Sequence, residues 1–130
     1  MRILASLALV FLFGTLPLLE ARAAEAVPFE RAAFAAAQAA GSPILVEVYA
    51  SWCPTCARQQ PILSRLEKSP EFADLVVFTV DFDWQLDVAR ELGARLQSTL
   101  IVFHGSAEKG RSVGDTNEKS IVALLRKAAS

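Results

Sequence analysis

The sequence predicts one α/β domain with a mixed central β-sheet and helices on both faces of that sheet. Short, nearly continuous apolar runs, which are typical of strands buried on both faces, alternate with segments of helical spacing. The last two predicted strands follow each other without a helix between them, so they are expected to pair antiparallel. The chain has 130 residues, and those after residue 23 suffice for one hydrophobic core but not for two.

The first half of this domain predicts a helix, a strand and a second helix. An alanine-rich segment with helical spacing covers residues 30–40, and a Gly-Ser-Pro triplet ends it. Residues 44–49 form an apolar run with a single acid, which indicates a buried strand. Helical spacing resumes over about residues 54–68.

The second half predicts three more strands and two more helices. In chain order we expect a strand at 75–80, a helix at 84–92, a strand at 99–103, a turn at 105–110, a short antiparallel edge strand at 111–113 and a helix at 116–128. Asp83 is the candidate N-cap of the helix at 84–92, because a carboxylate can accept hydrogen bonds from free N–H groups there.

Composition excludes two classes of protein. The chain has 13 basic and 14 acidic residues and a net charge of −1, without a basic cluster, so no nucleic-acid partner is expected. Two cysteines cannot form the disulfide framework of a stapled miniprotein.

The amino terminus has the pattern of a secretory signal. Arg2 precedes an apolar stretch over residues 3–19, and the triplet Ala21-Arg22-Ala23 suits a signal peptidase. We predict a cleaved signal at 1–23, with Ala26 as the second candidate for the cut, and a mature domain at 24–130 that is periplasmic or secreted. The alternative is a retained, membrane-anchoring segment, for which a stretch of about 17 residues is short.

The two cysteines lie in one segment, Trp52-Cys53-Pro54-Thr55-Cys56, between the first buried strand and the helix that follows. A thiol at a helix N-terminus is favoured as thiolate by free N–H groups and by the helix dipole. The thiolate is the nucleophile of disulfide exchange, so Cys53 is expected to attack and Cys56, one turn later, to resolve the mixed disulfide.

Three alternative roles of the cysteine pair remain open. A structural disulfide would close a very tight loop, which gives little chain-entropy stabilisation. Half of a zinc site would need further ligands, and His104 is the only histidine. A buried, inert pair is disfavoured because Pro54 and Thr55 predict an exposed turn.

Glu47 is a lone acid within the first apolar strand. Burial would raise the pKa of its carboxyl and suit it to general-base work. The alternative is a glutamate at the edge of the sheet that reaches solvent.

Residues 44–56 resemble the active-site strand and turn of the thioredoxin family. Pro61 matches that family's helix-kinking proline, and the resemblance extends over residues 29–128. It implies the thioredoxin fold and a thiol–disulfide oxidoreductase without a cofactor or a metal. It also implies a Cys53–Cys56 redox disulfide.

The resemblance assigns roles to further residues. Trp52 matches a tryptophan that flanks the active surface, and Glu47 matches a buried carboxylate that assists proton transfer at the resolving cysteine. The predicted catalytic residues are therefore Cys53, Cys56 and Glu47. The predicted substrate contacts are Trp52, Pro54, Thr55, Ser98 and Thr99.

Ser98 departs from the family pattern, which has a proline preceded by a cis peptide bond at this place. A cis bond before any other residue costs about 2.5–4 kcal/mol, so we expect the Gln97–Ser98 bond to be trans or strained. In the family this loop presents backbone to the substrate and keeps metals away from the cysteines. A non-catalytic binding module or chaperone, or a carrier of a metal or an iron–sulfur cluster, is therefore the alternative function.

We predict an exported thiol–disulfide oxidoreductase that exchanges disulfides with protein substrates, and favour a reductase over an oxidase. Such a reductase would be a monomer and would receive its electrons from a membrane-bound partner. The direction of electron flow follows from the reduction potential of the cysteine pair.

Overall fold

The computed structural model describes residues 23–130; the predicted signal lies outside them except for Ala23. The elements are β1 Ala26–Pro28, α1 Arg31–Ala39, β2 Pro43–Tyr49, α2 Pro54–Glu67, β3 Val76–Asp81, α3 Leu86–Glu91, β4 Thr99–His104, β5 Ala107–Val113 and α4 Glu118–Arg126, with 3-10 turns at Pro70–Phe72 and Lys127–Ala129. In this part of the chain no helix is long and apolar enough to cross a membrane.

The strands form one mixed sheet in the order β1-β3-β2-β4-β5, with β2 at its centre. β1 and β2 both run parallel to β3, whereas β4 is antiparallel to β2 and to β5. Val46 of β2 pairs with Phe78 on one side and with Ile101 on the other. The predicted mixed sheet is confirmed, including the antiparallel pair at its edge.

Helices cover both faces of the sheet, as predicted, and each face has its own apolar core. On one face α2 and α4 pack on the sheet through Leu45, Leu63, Leu66, Val77, Leu100, Val102, Ile121, Leu124 and Leu125. On the other face α1 and α3 pack on it through Phe34, Ile44, Val46, Val48, Phe78, Val80, Val88, Ala89, Ile101 and Phe103. β2 is therefore buried on both faces, because its alternate side chains enter different cores.

Two strands differ from the sequence prediction. The sequence does not predict β1, because three residues show no period, and the last residue of this strand is a proline that only an edge strand tolerates. β5 covers Ala107–Val113 rather than residues 111–113 alone. Its first four residues are exposed or half-buried, and they are two small and two charged residues, so their sequence resembles that of a turn.

The prediction of Asp83 as a helix N-cap is wrong. α3 begins at Leu86 with Gln85 at its N-cap, two residues later than expected. Asp83 lies in the preceding turn, where its carboxylate accepts a hydrogen bond from the Trp52 side chain instead.

The turn between β4 and β5 requires glycine at position 105. Gly105 has a φ of +57°, and a Cβ there would lie 3.2 Å from both the Gln38 carbonyl oxygen and the Gly41 Cα. We expect Gly105→Ala to lower the free energy of unfolding by about 2–4 kcal/mol, since it combines a left-handed backbone with steric overlap. Urea unfolding at constant pH measures the loss.

Gly41→Ala is the matched control for this substitution. Gly41 has a φ of +70°, but nothing lies within 4 Å of its Cβ position. Only the cost of the left-handed backbone, about 1–2 kcal/mol, is expected there. Equal losses in the two variants would contradict the role of the close approach at Gly105.

Candidate functional site

The cysteines lie just after the central strand β2, at the N-terminus of the helix α2. Cys53 is the N-cap of α2, and its Sγ accepts a hydrogen bond of 3.1 Å from the backbone N–H of Cys56. The two residues form a disulfide with a Cα–Cα distance of 5.3 Å. Pro54 occupies the first turn of α2, where its missing N–H leaves no bond unmade. The sequence prediction that a thiol lies at this helix N-terminus is confirmed.

A cavity of about 270 Å³ opens beside the disulfide. Its lining includes both cysteines and residues of the two central parallel strands and of α2, namely Tyr49, Ala50, Ser51, Cys53, Cys56, Ala57, Gln60 and Thr79. The cysteines themselves are almost fully buried, at 4% exposure for Cys53 and 3% for Cys56. The cavity is therefore a route by which water can reach the sulfur atoms.

Glu47 is buried in the middle of β2, with only 3% of its surface exposed. The alternative of an edge glutamate that reaches solvent is wrong, because β2 is the central strand. One carboxyl oxygen, Oε2, accepts a hydrogen bond of 3.3 Å from Nε2 of Gln60. The other, Oε1, is buried and has no partner among the described residues. Thr79 lies opposite Glu47 on β3.

The surroundings of Glu47 raise its pKa from 4.5 to about 8. The largest cause is burial, which removes water from the carboxylate. The second cause is the neighbouring acid Glu67, which favours the protonated form of Glu47 and whose charge opposes its ionisation. The sequence prediction of a raised pKa is confirmed. Sequence reasoning missed Glu67, which lies 11 residues, about three helical turns, after Cys56 on α2.

All peptide bonds within residues 23–130 are trans, including the bond between Gln97 and Ser98. Ser98 has a φ of +59°, a left-handed conformation that costs a residue other than glycine about 1–2 kcal/mol. The expectation of a trans or strained bond is thus confirmed in its first form, and the strain lies in φ. The Ser98 carbonyl oxygen accepts a hydrogen bond of 2.9 Å from Gly114 N–H.

The hydroxyl groups of Ser98 and Thr99 are turned into their own loop. Ser98 is 7% exposed, and its Oγ donates to the Gln97 carbonyl oxygen at 2.5 Å. Thr99 is 1% exposed, and its Oγ1 donates to the Leu96 carbonyl oxygen at 2.6 Å. Any contact of these residues with a substrate would therefore be made by backbone atoms.

Residues 96–98, called the Ser98 loop below, lie next to the turn between the cysteines. A Cβ built on Gly114 would lie 4.0 Å from Ser98 Oγ and 4.0 Å from Thr55 Cγ2. Gly114 is thus flanked by the loop on one side and by the Cys-Pro-Thr-Cys turn on the other. Of the predicted contacts in that turn, Pro54 is exposed and Thr55 is half-buried.

Exposed aromatic side chains border the site. Trp52 is 59% exposed, and its Nε1 donates a hydrogen bond of 2.8 Å to Asp83 Oδ2. Trp84, the residue after Asp83, is 87% exposed. The Trp52 ring is therefore oriented by a polar bond and keeps an apolar surface open beside Cys53.

His104 lies at the other end of the sheet. It pairs with Pro43 at the start of β2, whereas the cysteines follow the end of that strand. Its Nδ1 lies 2.8 Å from the Ala128 carbonyl oxygen. Within residues 23–130 no three His, Cys, Asp or Glu side chains are grouped so that they could hold a metal ion.

Comparison with known proteins agrees with this geometry. Residues 25–127 match the family model for thioredoxin. The thioredoxin Asp f 29 of Aspergillus fumigatus is 32% identical over 89 residues, which cover 68% of this chain and 80% of that protein. A thioredoxin of Chlamydia muridarum is 33% identical over 84 residues, or 65% of this chain and 80% of that protein.

A solved structure is similar over most of its length. Trxlp from Edwardsiella tarda EIB202 superposes with a TM-score of 0.75 and is 42% identical, covering 78% of this chain and 98% of that one. The fold, the cysteine pair at the start of α2 and the family match lead to one conclusion. The chain belongs to the thioredoxin family and is a thiol–disulfide oxidoreductase that acts on protein disulfides.

Proposed function

We propose that the protein reduces protein disulfides outside the cytoplasm, with Cys53 as the nucleophile and Cys56 as the resolving thiol. The observation that carries the roles of the two thiols is the position of Cys53 Sγ, which caps α2 and accepts a hydrogen bond from the Cys56 N–H at 3.1 Å. That bond and the helix dipole favour a thiolate on Cys53 when the pair is reduced.

The reaction balances without a cofactor. The Cys53 thiolate attacks one sulfur of the substrate disulfide, and the other substrate sulfur leaves as a thiolate that takes up a proton. Cys56 then loses its proton and attacks Cys53 Sγ in the mixed disulfide, which releases the second substrate thiol. Two electrons pass from the cysteine pair to the substrate, and the Cys53–Cys56 disulfide remains.

Glu47 is the proposed acceptor of the Cys56 proton. Its pKa of about 8 suits proton exchange with a thiol near neutral pH. Gln60 lines the cavity beside Cys56 and also hydrogen-bonds Glu47 Oε2. Water in that cavity can carry the proton between the thiol and the carboxyl group.

Export is proposed from the pattern of residues 1–23, and the fold supports a cut after Ala23. Ala24 is buried, and its N–H donates to the Glu67 carbonyl oxygen at 2.9 Å. A cut after Ala26 would remove this contact and the first residue of β1. An exported reductase of this kind would act as a monomer and take its electrons from a membrane-bound partner.

Ser98 favours a second candidate function. Because the loop next to the cysteines is trans and left-handed, it favours a function beside disulfide exchange: binding partners as a chaperone, or holding a metal or cluster through Cys53. A binding function of this kind would persist in a double Cys→Ala variant that no longer reduces insulin. A carrier would bind metal in a ratio that falls when Cys53 is replaced.

The Cys56→Ser variant tests the order of the two thiols. It lacks the resolving thiol, so mixed disulfides through Cys53 should accumulate. Gel electrophoresis under non-reducing conditions should show them as adducts that disappear when a reducing agent is added. Cys53→Ser is the control and should trap no partner. Adducts that form equally well in the Cys53→Ser control would contradict the assignment of Cys53 as nucleophile.

The reduction potential of the cysteine pair tests the direction. A reductase is expected near the value of about −270 mV found for thioredoxins, whereas an oxidant would lie near about −120 mV. Equilibration with glutathione or dithiothreitol buffers, followed by thiol alkylation, measures the potential. A value on the oxidising side of about −180 mV, which is that of protein disulfide isomerase, would contradict the reductase proposal.

The free energy of unfolding of the oxidised protein is expected to decrease as the pH rises, because of Glu47. Its pKa is raised from 4.5 to about 8, so the folded state keeps a proton that the unfolded state has lost between these values. The stabilisation is complete below pH 4.5 and is lost as the pH rises through 8. Glu47→Gln removes this dependence, so the stability of the variant relative to the wild type should rise by about 5 kcal/mol between pH 4.5 and pH 9.

Urea unfolding of both proteins at several pH values measures this difference. Glu25→Gln, at an exposed position, is the control and should follow the wild type. Parallel pH profiles for the wild type and Glu47→Gln would show that Glu47 does not keep its proton in the folded state.

A further inference from the structure

Gln59 is a buried polar residue that has no part in the chemistry above. It lies on α2 three residues after Cys56 and is only 3% exposed. A buried amide is costly unless its donors find partners, so its contacts show what it stabilises.

The amide of Gln59 joins two segments that are distant in sequence. Its Nε2 donates to the Asp115 carbonyl oxygen at 2.8 Å and to the Ser98 carbonyl oxygen at 3.3 Å. Only the NH₂ end of the side chain can donate, and the two carbonyls use both of its hydrogens. The NH₂ end of the Gln59 amide, rather than its oxygen, must therefore face these two carbonyls.

Few bonds hold the Ser98 loop from outside. The hydroxyl bonds of Ser98 and Thr99 end on carbonyls of the loop itself. Among the described residues, the Ser98 carbonyl oxygen accepts from two groups beyond the loop, Gly114 N–H at 2.9 Å and the Gln59 amide. These two contacts restrain the left-handed backbone of Ser98 from outside the loop.

We propose that Gln59 is a positioning residue that clamps the trans Ser98 loop beside the disulfide and thereby determines how well protein substrates bind. A proline would restrict this loop through its own ring, whereas here an amide on the active-site helix restrains it from outside. The catalytic part of the proposal rests on the proposed reductase function; the structural part does not.

Protein and small disulfides should respond differently to the clamp. A small aromatic disulfide needs only the Cys53 sulfur, whereas a folded substrate must also fit the surface formed by Thr55, Gly114 and the Ser98 loop. Without the amide, Ser98 can relax from its left-handed conformation and alter that surface. The KM for protein disulfides then rises while the chemistry at sulfur is unchanged.

Gln59→Met tests the clamp, because methionine has a similar length and no donors. Gln38→Met is the matched control, since Gln38 is a half-buried glutamine of α1 on the opposite face of the sheet. The first readout is amide hydrogen exchange followed by NMR, which requires no enzymatic activity. Gly114 N–H should exchange about tenfold faster in Gln59→Met, the loss expected for one hydrogen bond, while Val46 and Ile101 keep their protection.

The second readout is kinetic. With insulin as substrate, Gln59→Met should raise KM about fivefold or more and leave kcat within about twofold. The rise in KM has the same cause as the faster exchange, namely the loss of the hydrogen bond to the Ser98 carbonyl. Its rate with 5,5′-dithiobis(2-nitrobenzoate) and its reduction potential should match those of the wild type. Gln38→Met should change none of these values.

Each outcome decides between the two proposals. Unchanged exchange at Gly114, or equal slowing with insulin and the small disulfide, would overturn the clamp. Faster exchange at Gly114 in a protein whose wild type does not reduce insulin would uphold the clamp and overturn the reductase. If Gln59→Met does not fold, Gln59→Asn takes its place, because an amide one methylene group shorter falls short of both carbonyls. Unchanged exchange at Gly114 in that variant would likewise overturn the clamp.

Discussion

The double burial of β2 is the constraint on which the site depends. β3 and β4 pair with this strand on its two sides, and separate cores of α2 with α4 and of α1 with α3 cover its faces. A strand packed in this way cannot shift at its carboxyl end without opening both cores. The turn after Tyr49 and the first residues of α2 are therefore held in place, and Cys53 acquires its helix-terminal environment from packing that lies far from the sulfur atoms.

The same burial determines the proton chemistry. Glu47 points from β2 toward α2, where water is excluded and where Gln60 and Glu67 approach it. Ionising this carboxyl is costly, so its pKa rises into the range in which thiols exchange protons. A single acid on the central strand thus makes the stability of the fold depend on pH.

The backbone of the loop at Ser98 is restrained without the proline that the family has at this position. In the family a proline stands here, and its ring restricts the backbone locally. In this chain the backbone is trans and left-handed, and Ser98 is restrained by Gly114 and by the amide of Gln59. A restraint built from tertiary hydrogen bonds depends on the packing of α2 against the loop. The position of this loop is therefore coupled to the helix that carries the cysteines.

The sequence alone determined the fold class, the strands at 44–49 and 99–103, and the position of the cysteines, because local periodicity and a helix start leave marks within a few residues. It did not predict β1 or the full length of β5, since short or polar edge strands show no apolar period. It also did not predict that Asp83 accepts a hydrogen bond from Trp52, because the two residues are 31 positions apart. Only the tertiary structure decided which groups meet Glu47 and Ser98. The bonds of Gln59 to Ser98 and Asp115 join residues 39 and 56 positions apart, and only the packing of elements brings such residues together.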